Sequence, residues 1–85
     1  MKHEEKYVIT IKEDTIFLRS LIATIAKRNK IKVLNVGTHS IHITGTFSSA
    51  RHMLMELSTF SQLSPTSMKL LRITGDGESL RVKEV

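Results

Sequence analysis

In the segment IHITGTFSSAR, residues 41–51, a strand pattern changes into a helix pattern. Ile41 and Ile43 alternate with polar residues, as in a strand with one buried face. Further along, apolar residues recur at helical spacing instead. These residues are Ala50, Met53, Leu54, Leu57 and Phe60. A strand therefore leads into a helix through a short polar turn, and we expect that helix to run from Ser48 or Ser49 to about Phe60.

A strand followed by a helix is also predicted at the start of the chain. Tyr7, Ile9 and Ile11 occupy alternate positions, which is typical of a half-buried strand. Asp14 is a suitable N-cap for the helix that follows. The apolar residues of that helix recur at helical spacing over about three turns. They are Ile16, Phe17, Leu18, Leu21, Ile22, Ile25 and Ala26.

The remaining segments complete the order of elements. Residues 31–36 and 41–46 predict two antiparallel strands joined by a hairpin loop, and residues 68–74 predict a fourth strand. Residues 75–78 have the composition of a tight turn, after which residues 79–85 form either a fifth strand or a return arm. The predicted fold is an α+β, ferredoxin-like βαββαβ sandwich, with two helices on one face of an antiparallel sheet and a terminal β-hairpin.

Length and composition limit the range of functions. A chain of 85 residues suffices for one domain, residues 1–85, of which we expect residues 1–6 to be flexible. The chain has no cysteine, which excludes disulfides and thiolate chemistry. No apolar run approaches the roughly 18 residues of a membrane span, so we expect no membrane segment, no signal peptide and a soluble chain.

No group of residues has the spacing of a catalytic or metal site. His39 and His42 are three apart on a predicted hairpin, so they point to opposite faces, and His52 follows at a distance. The hydroxyl residues from Thr44 to Ser49 lack a strained nucleophile elbow, and Gly45 alone does not form a phosphate loop. We therefore expect no enzyme activity, no metal and no cofactor.

The densest positive cluster consists of Lys27, Arg28, Lys30 and Lys32. Together with the net charge of +5, it makes a small basic nucleic-acid-binding protein one alternative. The simpler interpretation is a solvated helix end, where cations are favourable. Aromatic residues for base stacking are absent from the predicted central strands apart from Tyr7.

Helices on one face leave the other sheet face available for association. Val8, Thr10, Thr44 and Thr46 are predicted to lie on that face, and with Phe47 at the strand and helix junction they are the candidate interface residues. This predicts a protein that functions through self-association or a partner.

The sequence resembles a known domain in three consecutive segments. They are Ile41-His42-Ile43-Thr44-Gly45-Thr46-Phe47-Ser48-Ser49, the helix segment Met53-Leu54-Met55-Glu56-Leu57 and the strand Leu70-Leu71-Arg72-Ile73. The domain that it resembles is the C-terminal ferredoxin-like domain of type IV pilus inner-membrane assembly proteins of the PilN and PilO kind, and of the type II secretion protein GspM. The resemblance covers most of the chain, but the membrane segment and coiled coil of those families are not seen here.

The resemblance implies a noncatalytic role in assembly. Such domains form homodimers or heterodimers with a related assembly protein, at the periplasmic face of the inner membrane. A cytoplasmic location is expected instead if the chain is free-standing. A regulatory ligand-binding domain of the ACT type has the same strand order and is a further alternative.

Overall fold

A computed structural model describes residues 5–74 and 81–84. Two helices pack on one face of an antiparallel sheet, and 3₁₀ turns at Thr15–Leu18 and Pro65–Ser67 precede the first helix and the fourth strand. The turn predicted at residues 75–78 and the expected flexibility of residues 1–4 lie outside the described residues. The helices and strands are β1 (Glu5–Ile11), α1 (Arg19–Arg28), β2 (Lys32–Val36), β3 (Ser40–Gly45), α2 (Phe47–Ser61), β4 (Met68–Thr74) and β5 (Arg81–Glu84).

The sheet has the strand order β2-β3-β1-β4-β5, with every pair antiparallel. β1 therefore lies in the centre, between β3 and β4, and each helix connects strands that are not hydrogen-bonded to one another. This confirms the predicted ferredoxin-like βαββαβ fold, and it places β5 as a fifth strand beside β4.

The core lies between the helices and one face of the sheet, which is called the core face below. Alternate residues of β1 enter it because side chains in a strand point to opposite faces. Ile9, at the centre of the sheet, is paired with Ile41 of β3 and Leu70 of β4. The buried apolar residues of the core cluster are Tyr7, Ile9, Ile11, Ile22, Ile25, Ala26, Ile31, Ile41, Ile43, Ala50, Met53, Leu57, Met68 and Leu70.

The first helix departs from its predicted pattern at its start. Asp14 caps the 3₁₀ turn, since its Oδ1 accepts a hydrogen bond from the Ile16 amide at 2.8 Å. Ile16 and Phe17 are 58% and 88% exposed, so their predicted place on the buried helical face is wrong. A 3₁₀ turn has three residues per turn, which breaks the helical spacing before α1 begins at Arg19. Thr15 is the buried residue of this turn.

The second helix begins at Phe47, one residue before the predicted start. Thr46 is its N-cap, with Oγ1 accepting a hydrogen bond from the Ser49 amide at 3.2 Å. Phe60 was expected in the core but is 54% exposed, so that prediction is wrong. Its ring lies instead under the guanidinium of Arg28, at the C-terminal end of α1. The Arg28 Cζ atom is 5.8 Å from the centroid of the Phe60 ring. The last turn of α2 therefore packs against a side chain of α1 rather than into the core.

Candidate interaction surface

The sheet face opposite the helices is not covered by any helix of the described chain. Its residues follow from the strand register, because residues directly opposite one another in an antiparallel pair lie on the same face. They form three rows across β2, β3, β1 and β4, and they are called the open face below. The rows are Lys32, Thr44, Lys6 and Ile73; Asn35, His42, Val8 and Leu71; and Ser40, Thr10 and Lys69.

The open face has an apolar centre and lysines around it. Val8 is only 8% exposed, although no helix of residues 5–74 covers it, because its neighbours His42 and Leu71 flank it across the sheet. Leu71 and Ile73 are half-buried, whereas the three lysine side chains are exposed. An apolar centre with a charged rim is the usual composition of a protein interface.

The five predicted interface residues do not all share this surface. Val8, Thr10 and Thr44 lie on the open face, where Thr44 Oγ1 also donates a hydrogen bond to the Glu5 carbonyl at 3.0 Å. Thr46 follows the strand and caps α2. Phe47 begins that helix and packs on the core side against the ring of Tyr7, with centroids 6.3 Å apart. The structure therefore brings three of the five together.

Sequence reasoning did not assign the open-face residues of β4. Leu71, Ile73 and Lys69 alternate with the buried Leu70, so the alternation in residues 68–74 was the signal that could have identified them. The two apolar residues add to the contribution of Val8 and extend the apolar centre toward β5.

The basic cluster of the sequence is likewise divided by the fold. Arg28 forms an ion pair with Glu56, with Nη1 3.2 Å from Oε2, so its charge is partly neutralised. Lys27 and Lys30 are exposed at the C-terminal end of α1, where Lys30 has a positive φ of 57° in the turn after the helix. Lys32 belongs to the open face. The four cations therefore belong to different elements, and one of them is engaged in an ion pair.

A second group of polar and aromatic side chains lies on the core side, beside the start of α2. The Arg72 guanidinium is 5.9 Å from the Tyr7 ring centroid and 5.7 Å from that of Phe47. Arg72 Nε also lies 2.8 Å from Glu5 Oε2, as an ion pair without the alignment of a hydrogen bond. The Tyr7 hydroxyl donates to the same carboxylate at 3.3 Å. These contacts close the core at one end of β1.

Burial raises the pKa of the Tyr7 hydroxyl above its ordinary value, and Arg72 opposes part of this effect. The folded chain therefore favours the neutral phenol. The contribution of the Tyr7 phenol to the free energy of unfolding is fully present below the ordinary pKa of about 10. It is lost as the pH rises through the higher pKa of the folded chain. Tyr7 is the only tyrosine, so its ultraviolet absorbance reports this group alone. We expect a titration midpoint above that of the chain in urea, and equal midpoints would contradict the described environment.

The described residues contain no group of three histidine, aspartate or glutamate side chains that could hold a metal ion. His42 lies on the open face and His52 on α2, while His39 Nδ1 is 3.3 Å from the Glu13 carbonyl oxygen. Within the described ranges, no helix is long and apolar enough to cross a membrane.

Fold and surface together define a ferredoxin-like α+β domain with an uncovered sheet face. No model of a known protein family matches the chain, and no curated protein matches it.

Proposed function

We propose that this chain is a noncatalytic protein-interaction domain that binds its partner through the open face. The observation that carries the proposal is the apolar centre formed by Val8, Leu71 and Ile73 on a face that no described helix covers. An apolar surface that stays in contact with water in the free chain gains stability when a partner buries it.

The open face is better suited to binding a partner than the exposed edge of β2. The register of β2 against β3 shifts between Val33 and Asn35, which marks a β-bulge or a similar irregularity. An irregular edge that also carries Lys32 is poorly suited to pairing with a strand of another chain, since bulges and edge lysines are two ways in which proteins block such pairing. Contact through side chains of the open face does not need a regular edge.

The biological setting we propose is a type IV pilus or type II secretion inner-membrane complex, on the periplasmic side. Its support is the sequence resemblance around residues 41–49 and 70–73. A domain of such a complex needs a stable scaffold and an exposed contact surface rather than a catalytic cleft. The open face satisfies that requirement.

A nucleic-acid-binding role is the second candidate, because the charged side chains described on the open face, on β1, β2 and β4, are all lysines. Lysines attract phosphates regardless of sequence. However, the described part of the face carries no phenylalanine, tyrosine or tryptophan for base stacking, its ring at His42 is half-buried, and Tyr7 and Phe47 lie on the core side. This difference ranks the protein partner first.

Site-specific photo-crosslinking in the source cells tests the proposal. We expect a photoreactive residue at Thr10 or Asn35, both on the open face, to give protein adducts several-fold more often than one at Thr24 or Thr59, which are exposed on the helices. All four variants should fold, as judged by circular dichroism. Equal yields at the two sets of positions, or adducts with nucleic acid alone, would contradict the proposal.

A further inference from the structure

The charged side chains that the structure describes on the open face, on β1, β2 and β4, are all lysines. Lys6 and Lys32 both pair with Thr44 in one row, so their Cα atoms are separated by two strand spacings, about 10 Å. Lys69 lies at the other end of the face, opposite Thr10. None of the described side chains of the open face on β1 to β4 is a carboxylate, whereas in β5 the register places Glu84 opposite Leu71.

Two carboxylates of the described chain are engaged with arginines away from the open face. Glu5 is paired with Arg72 on the core side, and Glu56 with Arg28 between the two helices. Neither of these two carboxylates neutralises the lysines of the open face, whose charge is screened by salt.

The positive surface continues beyond the last row of the open face. Thr10 and Lys69 also line a shallow cleft at this end of the sheet. The other residues of the cleft add two basic side chains and two hydroxyls, and none is acidic. They are Ile11, Lys12, His39, Thr66 and Ser67. A carboxylate that reached this cleft would meet ammonium groups and hydroxyl donors together.

These positions bear on whether a second copy of the chain could be the partner. A two-fold symmetric dimer places the same patch on both sides of the interface. The three lysines of one open face would then lie against a face with the same excess of lysines, to which β5 adds Glu84 opposite Leu71, and like-charge contacts are costly. The apolar centre still requires an apolar surface opposite it. A partner surface that is complementary to the open face therefore has an apolar centre and a carboxylate rim.

From this complementarity, which rests on the proposed function, we infer that the open face binds an acidic, amphipathic surface of a different protein. The lysines set the orientation and the association rate, and burial of the half-buried Leu71 and Ile73 supplies the affinity. A phosphate backbone would satisfy the lysines but would leave these apolar side chains without a partner.

Three synthetic helical peptides of about 18 residues serve as probes, a length that supports a helix. The first has a leucine stripe and glutamates on its other positions, the second replaces the glutamates by lysines, and the third scrambles the first so that no stripe forms. In nuclear magnetic resonance titrations of the full chain, we expect the first to shift amides of β1, β3 and β4. The scrambled peptide should bind at least tenfold more weakly, and the lysine peptide should not bind.

Matched charge reversals locate the contact. Lys6→Glu with Lys32→Glu should weaken binding of the first peptide at least tenfold, whereas Lys27→Glu with Lys30→Glu should weaken it no more than about twofold. Both variants change the net charge equally, and circular dichroism checks that each is folded. Equal losses in the two variants, or no binding of the first peptide, would overturn the inference.

Two further results separate this inference from the proposed function. A dimer of the unmodified chain that buries the open face, seen by sedimentation over a concentration series, would overturn the acidic partner and leave the interaction domain intact. Tighter binding of a thymidine oligonucleotide than of any peptide, lost in the Lys6→Glu and Lys32→Glu variant, would overturn both.

Discussion

Replacement of Ile9 by alanine is expected to lower the free energy of unfolding by about 4 kcal/mol, within the range known for buried isoleucines. Ile9 is 0% exposed and lies on the central strand, with Ile41 and Leu70 opposite it on the two neighbouring strands. Alanine would leave a cavity bounded by side chains of three strands, which a sheet closes poorly. A domain of this size has a total stability on the order of 4 to 13 kcal/mol, so the variant should lose about a third of it or more.

Urea denaturation followed by circular dichroism measures this loss. The adjacent Thr10 provides the matched control, because it is on the open face of the same strand, and Thr10→Ala should change the stability by no more than about 0.5 kcal/mol. Ile9→Val should cost about 1 kcal/mol. Similar costs for the two alanine variants would contradict a core that lies on the Ile9 side of β1.

The contrast between Ile9 and Thr10 also explains why the fold could be predicted from the sequence. β1 and β3 each have one buried and one solvated face, so their apolar residues alternate and identify both the strand and its core side. The helix after β3 begins with a side-chain cap at Thr46, another local signal. Features that depend on the nearest few residues can therefore be predicted from the sequence alone.

Features that depend on contacts distant in sequence could not be predicted in this way. The apolar spacing of Ile16 and Phe17 suits a helix, but the backbone there is a 3₁₀ turn, held by hydrogen bonds from Thr15 to the β2–β3 loop. Phe60 has the spacing of a core residue, yet Arg28, which lies 32 positions earlier in the numbering, covers its ring. The spacing of apolar residues predicts which residues share one face of a helix. It does not predict which other parts of the chain contact that face at the ends of the helix.

In the candidate site, too, features set by neighbouring residues could be predicted, and features set by contacts distant in sequence could not. Alternation alone placed Val8, Thr10 and Thr44 on a common face. For the basic cluster, proximity in sequence did not indicate which of its charges has an acidic partner. Arg28 pairs with Glu56, a partner that only the packing of the two helices brings close, while Lys32 lies in a strand beside Thr44. The residues that share a surface could therefore be assigned only once the strand register was known.

The second large effect is expected at Thr15, which fastens the 3₁₀ turn to the loop between β2 and β3. Its side chain is 0% exposed, its hydroxyl donates to the Gly37 carbonyl, and its amide donates to the Thr38 carbonyl at 2.8 Å. Thr15→Val keeps the shape and removes the hydroxyl donor. Because the Gly37 carbonyl then loses a partner in a partly buried position, we expect a loss of about 2 kcal/mol in urea denaturation.

Thr24→Val is the matched control for Thr15→Val. The Thr24 hydroxyl also donates to a backbone carbonyl, that of Ser20 at 3.0 Å, but the bond is exposed and lies within one helix. Water can replace it, and valine and threonine have similar helix propensities, so the stability should change by no more than about 0.5 kcal/mol. If the two substitutions cost the same, the hydroxyl of Thr15 does not hold the turn to the loop. If only Thr15→Val is costly, a bond that joins residues 22 positions apart stabilises this end of the sheet, beside the cleft that Thr10 and Lys69 line.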